Sequence, residues 1–217
     1  MLNIHVTNHS LETKMEGIQS VSTSVLVNPI CKFRAQIAEG ICGHCYACKL
    51  CKMRKSLEEH LRQNFYKLNK RLLTPKEAKA VEITTQLGRI ESFGDVASVT
   101  QARNYIRIIK AHPRTRFGIW SKNWGIWLVA FKKEGGKPAN CTYVYSSMNI
   151  NQPDTPNPRM LPYVDHVFTV WDKEHYDAVI AADPKSECAG LSCKQCRKCY
   201  HKANANGSTF YINERLR

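Results

Sequence analysis

The chain has 217 residues, 43% of them hydrophobic, and a net charge of +14 from 32 Lys and Arg against 18 Asp and Glu. This length suits one sizeable domain with a single core. No stretch approaches the roughly 20 consecutive apolar residues that a membrane-spanning helix requires, and residues 1–17 lack the pattern of a secretory signal. The composition therefore argues against a membrane or secreted protein, and we expect a cytoplasmic one.

The excess of positive charge favours a polyanionic partner such as DNA or RNA. Thiolate-bound metal clusters are anionic, so balancing them is a second explanation for the basic residues. Composition leaves both explanations open and does not indicate the oligomeric state.

In chain order, a Val-rich run predicts a strand at 22–28, ended by Pro29. Apolar residues then recur every three or four positions from residue 46 to residue 72 and predict one helix. Thr74 followed by Pro75 predicts the cap and first turn of a short helix. Further strands are predicted at 88–93, 115–122, 141–147 and 166–172, with helices after Ser98 or Thr100 and at 173–182; residues 124–133 fit either type.

This alternation predicts an α/β fold: a partial (β/α) barrel-like, mostly parallel sheet with a Cys-rich, cluster-binding C-terminal tail. We divide the chain into an α/β core, residues 1–183, and a tail, residues 184–217. Ligands of such sheets bind at the carboxyl ends of the strands. The first cysteine segment follows the first predicted strand, so we expect it at that edge.

Ten cysteines in a reducing compartment predict metal ligands rather than disulfides. Structural zinc sites usually join two distant pairs of ligands, whereas closely spaced Cys-x-x-Cys steps suit an iron–sulfur cluster. The tail has four such residues within twelve positions: Cys188, Cys193, Cys196 and Cys199. We expect a [4Fe–4S] cluster there, with zinc as the alternative.

Five cysteines compete in the first group: Cys31, Cys42, Cys45, Cys48 and Cys51. The last four could hold an ordinary four-thiolate cluster. Alternatively, the first three hold a cluster with one iron free of protein ligands, the only arrangement that leaves iron open to chemistry. A third possibility is that Cys48 and Cys51 are solvent-side thiols without a role, because they lie off the apolar stripe of the predicted helix.

The segments NPICKF, GICGHCYACK, GRIESFGDV, VYSSMNIN and CKQCRKCYHK resemble the phage gene-product-88-like family, over roughly residues 20–217. The loop with Cys31, Cys42, Cys45, Tyr46 and Ala47 resembles a divergent radical S-adenosylmethionine (SAM) motif. In that superfamily three cysteines bind a [4Fe–4S] cluster, and SAM chelates its fourth iron. His44 occupies a position where an aromatic residue is common. The ten residues between Cys31 and Cys42, where most of the superfamily has three, depart from the pattern.

The resemblance also implies residues that contact SAM. Gly94 and Asp95 would receive its methionine amine, although a Gly-Asp pair is also a common turn. Ser146 and Ser147 could hydrogen-bond its carboxylate or ribose, or cap a helix. Lys122 follows a predicted strand, where a cation could meet a carboxylate or phosphate.

The function implied is a radical SAM enzyme in which the cluster passes an electron to the SAM sulfonium. The products are methionine and a 5′-deoxyadenosyl radical, which abstracts hydrogen from a substrate that is not identified. Positive charge favours a nucleic acid or nucleotide substrate, in the host cytoplasm if the protein is phage-encoded. The tail cluster would then be auxiliary. The alternative function is a non-enzymatic iron–sulfur or zinc protein that binds nucleic acid.

Overall fold

The structure is a computed structural model that describes residues 3–10, 13–37, 40–188, 191–203 and 210–216. In these residues seven strands form one sheet, and its spatial order follows the chain. The strands are β1 (Thr7–Asn8), β2 (Gln19–Val21), β3 (Leu87–Ile90), β4 (Arg116–Ser121), β5 (Cys141–Ser146), β6 (His166–Trp171) and β7 (Tyr211–Arg215). β1 pairs antiparallel with β2, and all other pairs are parallel. The predicted α/β fold with a mostly parallel sheet is confirmed.

The helices of the described residues are α1 (Pro29–Arg34), α2 (Tyr46–Met53), α3 (Lys55–Lys70), α4 (Pro75–Lys79), α5 (Val99–Ala111), α6 (Trp124–Lys133), α7 (Lys173–Ala182) and α8 (Cys193–Cys196). Both predicted caps are confirmed: the side chain of Thr74 accepts from the Glu77 amide, and that of Ser98 accepts from the Gln101 amide. The ambiguous segment at 124–133 is helix α6.

Consecutive parallel strands are neighbours in the sheet, so right-handed crossovers place their helices on one face. The main core lies on that face, where Tyr105 and Ile106 of α5 pack with Trp127 and Phe131 of α6 and with Ile119 of β4. The carboxyl ends of β2 to β6 meet at one edge, which we call the carboxyl edge. β1 and β7 are the outer strands of the described sheet, so closure into a barrel is not observed.

The predicted strand at 22–28 is wrong, because β2 ends at Val21. Beyond it the backbone leaves the ladder: the Thr23 amide donates to the Glu91 carboxylate at 3.0 Å, and the Ser24 amide donates to the Leu61 carbonyl at 3.2 Å. These bonds turn the chain toward α1 at the carboxyl edge.

The single helix predicted over residues 46–72 is two helices, because Arg54 has φ −107° and ψ 82° and interrupts it. Cys51 of α2 and Leu61 of α3 pack in one apolar cluster with Val25, Ala47 and Phe93. Cys51 is 0% exposed, so the expectation that it lies outside the core was also wrong.

The tail contributes strand β7, which pairs with β6 over five residue pairs, from Val167 opposite Tyr211 to Trp171 opposite Arg215. The domain boundary at residue 183 stays a prediction. In the part of the chain that is described, no helix is long and apolar enough to cross a membrane.

Candidate metal centres

Three thiols of the first cysteine group lie close together at the carboxyl edge. Cys31 is in α1, Cys42 is in a 3₁₀ turn at Ile41–His44, and Cys45 is the residue before α2. Burial raises the pKa of Cys31, and the charges of Asp95, Glu91, Cys42 and Cys45 raise it further. Among the thiols, Cys42 and Cys45 therefore have the largest effect on Cys31. We call Cys31, Cys42 and Cys45 the three-thiol group.

Local hydrogen bonds fix this group against the sheet. Asn28 caps α1 by accepting from the Ile30 and Cys31 amides at 3.0 and 3.4 Å, while its side-chain amide donates to the Asp95 carbonyl at 2.6 Å. The Ile41 amide donates to the Met148 carbonyl at 3.1 Å, just beyond β5. The segment from α1 to α2 is thereby held across the ends of β3 and β5.

Tyr46 attaches the start of α2 to the same edge. Its hydroxyl donates to the Ser92 carbonyl, two residues beyond β3. Because Tyr46 follows Cys45 directly, this bond helps to position the last thiol of the group.

Asp95 lies beside the three-thiol group, since its charge raises the pKa of both Cys31 and Cys42. Its carboxylate accepts from the Ser121 hydroxyl and from the Val96 and Lys122 amides, the two amides at 2.8 and 2.9 Å. An Arg34 guanidinium nitrogen is 3.8 Å from its second oxygen. The three hydrogen bonds occupy three of the roughly four lone-pair positions of a carboxylate, so one acceptor position is left, on the oxygen that Arg34 approaches.

Gly94 is required by a close approach of the backbone. A Cβ at this position would lie 2.6 Å from the Thr23 carbonyl oxygen and 2.8 Å from a carboxylate oxygen of Glu91. The packing around Gly94 therefore explains the glycine without reference to a ligand.

Lys122 and Ser146 approach the group from the ends of β4 and β5. The Lys122 ammonium donates to the Ser146 hydroxyl at 2.7 Å. Its charge lowers the pKa of Cys42, which burial raises overall. Ser147 points elsewhere: its hydroxyl lies 3.0 Å from that of Thr169 and accepts from the Asp154 amide at 2.9 Å. Of the two predicted serines, Ser146 is the one linked to the cation.

Cys48 and Cys51 lie one turn apart on α2. Burial raises the pKa of Cys51 to about 12, and the charge of Glu58 and a hydrogen bond with it add to this effect. Glu58 is itself buried and accepts from the Ser24 hydroxyl at 2.7 and 2.8 Å. A thiolate at Cys51 would therefore face a buried carboxylate.

The four tail thiols line one cavity. It measures about 20 Å³ and is bordered by Cys188, Cys193, Cys196 and Cys199, together with Lys14. Burial raises the pKa of Cys188, Cys193 and Cys199, and the charges of the other thiolates of the set raise each further. The four cysteines that the sequence groups in the tail thus lie around one small cavity.

Lys14 supplies a positive charge to this cavity. Its ammonium donates to the Cys188 sulfur at 3.1 Å, to the Cys188 carbonyl at 2.9 Å and to the Glu214 carboxylate at 2.7 Å. Burial alone would lower the pKa of Lys14, but the charges of Cys188 and Glu214 raise it above its ordinary value. The amide of Cys193 donates to the Lys14 carbonyl at 2.7 Å, so the same residue also orients a second thiol.

The tail packs on the sheet face opposite the main core. Tyr200 packs edge-on against Trp120 with their ring centroids 6.0 Å apart, and the Thr142 hydroxyl donates to the Cys199 carbonyl. The Arg89 guanidinium lies 3.1 Å from the centroid of the Trp120 ring, and its charge lowers the pKa of Cys193 and Cys199 against the effect of burial. Arg89 is thus a second cation close to the tail thiols.

Among the described residues, no group of three or more His, Cys, Asp or Glu side chains converges as ligands of one metal ion. Such convergence means sulfur at about 2.3 Å from a zinc ion. In a four-iron cluster each thiolate binds a different iron, so this finding concerns single-ion sites.

The sequence alone does not mark Glu91, Glu58, Lys14 or Arg89 as neighbours of the thiols. Glu91 could have been noticed as the charged residue inside the strand predicted at 88–93; it directly follows β3 and has φ +56°. Lys14 and Glu58 left no local pattern, because their thiol partners are distant in sequence or lie on another helix.

A family model described as Gene product 88 matches residues 7–205. No curated protein and no solved structure matches the chain. The matched range includes both cysteine groups and the strands from β1 to β6.

Proposed function

The chain belongs to the gene product 88 family, and we propose that it is an iron–sulfur protein that binds SAM at a [4Fe–4S] cluster held by Cys31, Cys42 and Cys45. The observation that carries this proposal is the proximity of these three thiols to one another and to Asp95 and Lys122 at the carboxyl edge. Open α/β sheets bind their ligands at this edge.

Three ligands are favoured over four by the surroundings of Cys51. Its thiol is 0% exposed and packs in the apolar cluster with Leu61 and Phe93, whereas the thiol-bearing residues Cys31, Cys42 and Cys45 are each partly exposed. Cys42 also has the cations Lys122 and Arg34 nearby. A cluster bound by three thiolates keeps one iron available to a non-protein ligand.

The neighbouring residues fit the methionine part of SAM. Asp95 has one acceptor position left for an ammonium group. Lys122 uses one of its three donors on Ser146, so the others are available to a carboxylate. Arg34, 3.8 Å from Asp95, is a second cation at the same place. In this proposal Gly94 and Ser147 act through packing.

The bound cluster and SAM would supply the one-electron chemistry. The protein residues hold and orient the cofactor: Asp95 retains its ammonium group, and Lys122 neutralises its carboxylate. The apolar cluster around Phe93 and Ala47 keeps water away from the inner side of the group.

For Cys188, Cys193, Cys196 and Cys199 we propose an auxiliary [4Fe–4S] cluster, with zinc as the alternative. Cysteine thiolates are the donor type that both metals accept, and Lys14 and Arg89 compensate the negative charge. A cavity of about 20 Å³ accommodates a group of roughly atomic size. A four-iron cluster would need more space than this cavity provides.

The proposal is tested by anaerobic purification, by assay of iron and sulfide, and by EPR of the reduced protein with and without SAM. We expect about eight irons per chain from two such clusters, and a signal that changes when SAM is added. Cys31→Ser, Cys42→Ser and Cys45→Ser should each abolish the SAM-dependent change. Cys48→Ser is the matched control on the same segment and should keep it.

Other outcomes would lead to different conclusions. A signal that SAM leaves unchanged would favour the non-enzymatic iron–sulfur protein. Zinc without iron would overturn both iron–sulfur functions. Loss of the cluster in Cys48→Ser and Cys51→Ala, with retention in Cys31→Ser, would favour a four-thiolate cluster closed to SAM.

A further inference from the structure

Large apolar side chains close in sequence to the three-thiol group are exposed. Phe33, two residues after Cys31, is 66% exposed, and Tyr46, next to Cys45, is 63% exposed. Met53 at the end of α2 is 80% exposed. Three exposed large apolar side chains within 21 residues of sequence are a candidate for contact with another molecule.

The two aromatic residues lie on anchored parts of the chain. Tyr46 is held by the bond from its hydroxyl to the Ser92 carbonyl. Phe33 lies on α1, whose first turn is capped by Asn28. Both rings are thus presented from positions tied to the sheet, which lowers the entropy lost when another molecule stacks on them.

The segment that carries these rings is strongly basic. Residues 29–57 contain six basic residues and a single acidic one, Glu39, which lies outside the described residues. Five of the six basic side chains are exposed and form no ion pair with any described residue: Lys32, Lys49, Lys52, Arg54 and Lys55. This surface therefore complements a polyanion.

We infer that Phe33, Tyr46, Lys32, Lys49 and Lys52, the aromatic–basic rim, bind single-stranded nucleic acid. Aromatic rings stack on unpaired bases, and lysines contact the phosphates, as in other surfaces that bind single strands. A duplex would hide its base faces from the rings, and an apolar protein surface would leave five cations without partners. The rim borders the three-thiol group, so the bound strand brings an unpaired nucleotide to that site.

This inference rests on the proposed function, because it assigns the substrate class of the same site. Binding can nevertheless be measured without turnover. Fluorescence anisotropy of labelled DNA and RNA oligonucleotides of about 12 nucleotides is recorded with the anaerobically purified full chain. We expect both single strands to bind, and the matching duplexes to bind more weakly.

Substitutions of Phe33 separate base stacking from apolar docking. Phe33→Ala should weaken single-strand binding by roughly 5- to 100-fold, the range for loss of one stacked base. Phe33→Trp should retain binding, and Phe33→Leu should weaken it as Phe33→Ala does. Tyr66→Ala is the matched control, because Tyr66 is 58% exposed on α3 and lies outside the rim.

The lysines are tested through salt dependence. The slope of log K for binding against log salt concentration is negative, at about −0.7 for each phosphate contact with a single strand. Removing two contacts in Lys49→Ala/Lys52→Ala should therefore make this slope shallower by about 1.4. Lys132→Ala/Lys133→Ala removes the same charge from exposed positions at the end of α6 and should leave the slope unchanged.

Absence of binding to any oligonucleotide, wild-type binding by Phe33→Leu, or equal losses in the rim and control variants would overturn the inference. The EPR response to SAM is scored separately. A protein that responds to SAM but binds no strand contradicts this inference alone. A protein that binds strands through the rim but does not respond to SAM contradicts the proposed function alone.

Discussion

The side-chain amide of Asn28 donates to the main-chain carbonyl of Asp95 at 2.6 Å, across 67 positions of the sequence. The same side chain caps the helix that carries Cys31. One residue therefore sets the distance between the first thiol and the loop that follows β3. Asn28 is 0% exposed, so neither bond competes with solvent.

We predict that Asn28→Ala lowers the free energy of unfolding by about 2 to 3 kcal/mol. The cap contributes about 1 kcal/mol, and the buried Asp95 carbonyl left without a donor costs a similar amount or more. Because Cys31 is then less well positioned, the SAM-dependent EPR change should also decrease. Urea denaturation and EPR on the same preparation measure both effects.

Ser98→Ala is the control for this prediction. Ser98 caps α5 by accepting from the Gln101 amide at 3.1 Å, and its hydroxyl donates to Asn69 at 2.6 Å. The Ser98→Ala variant should lose a free energy of unfolding comparable to that lost in Asn28→Ala, and it should keep the EPR response to SAM. Equal loss of the response in both variants would mean that general destabilisation, not the position of Cys31, is responsible.

Gly94 and Gly125 provide a second matched pair. Gly94→Ala places a Cβ 2.6 Å from the Thr23 carbonyl, so the backbone must shift, at a cost of about 1 to 3 kcal/mol. Gly125→Ala, on α6, meets nothing within 4 Å and should gain about 0.5 to 1 kcal/mol. Urea midpoints that move in opposite directions would confirm this; equal shifts would contradict the close packing at Gly94.

Glu91 should make stability depend on pH. Burial raises its pKa from 4.5 to about 7, although bonds from Tyr105 and Thr23 oppose the shift. Between these values the native protein holds a proton that the unfolded chain releases, so stability falls as pH rises. The loss by pH 8 is about 3 kcal/mol, from about 1.4 kcal/mol for each pH unit.

The test compares Glu91→Gln with the wild type by urea denaturation from pH 5 to pH 8. The variant has no proton to lose at this position, so its stability relative to the wild type should rise over that range. His9 acts in the opposite sense, because burial and the charge of Arg89 lower its pKa to about 4, but its contribution is common to both proteins and cancels. A constant difference between the two would refute the prediction.

Elements with a local cause were predictable from the sequence. Thr74 and Ser98 specify their caps through neighbouring amides. The alternation of strands and helices was sufficient to predict a mostly parallel sheet. The strand at 22–28 was misplaced because an apolar run does not indicate its partner: Val25 packs in the cluster under α2 and α3, not in a ladder. β7 was missed because its sequence, YINER, has one buried apolar side chain, Ile212, and no wider pattern.

The spacing of the cysteines in the sequence predicted the candidate ligands. It did not predict the charged and hydrogen-bonding residues that shift the pKa of the thiols. The partners that neutralise, repel or orient the thiols come from distant parts of the chain, such as Lys14 at 174 positions from Cys188. Cys51 was misjudged for a related reason. The break at Arg54 changes which side of α2 faces the protein, and periodicity counted across one continuous helix does not detect it.

Lys14 should control the reduction potential of the cluster proposed for the tail. It is the ammonium that donates to the Cys188 sulfur, and both net charge and hydrogen bonds to sulfur set the reduction potential of iron–sulfur clusters. We predict that Lys14→Met shifts this potential to more negative values, because a cation that stabilises the reduced, more negative cluster is lost. A redox titration followed by EPR in the Cys42→Ser background, in which we expect the first cluster to be absent, isolates the tail.

Lys14→Arg keeps the charge and should restore most of the potential. Lys185→Met removes the same charge from an exposed tail residue and should have a smaller effect, because solvent screens it. If Lys14→Met and Lys185→Met gave equal shifts, the bond to Cys188 would have no special role. If the tail gave no redox signal while its metal content persisted, these four thiols would hold zinc, and Lys14 would serve only to connect the N-terminal segment to β7 through Glu214.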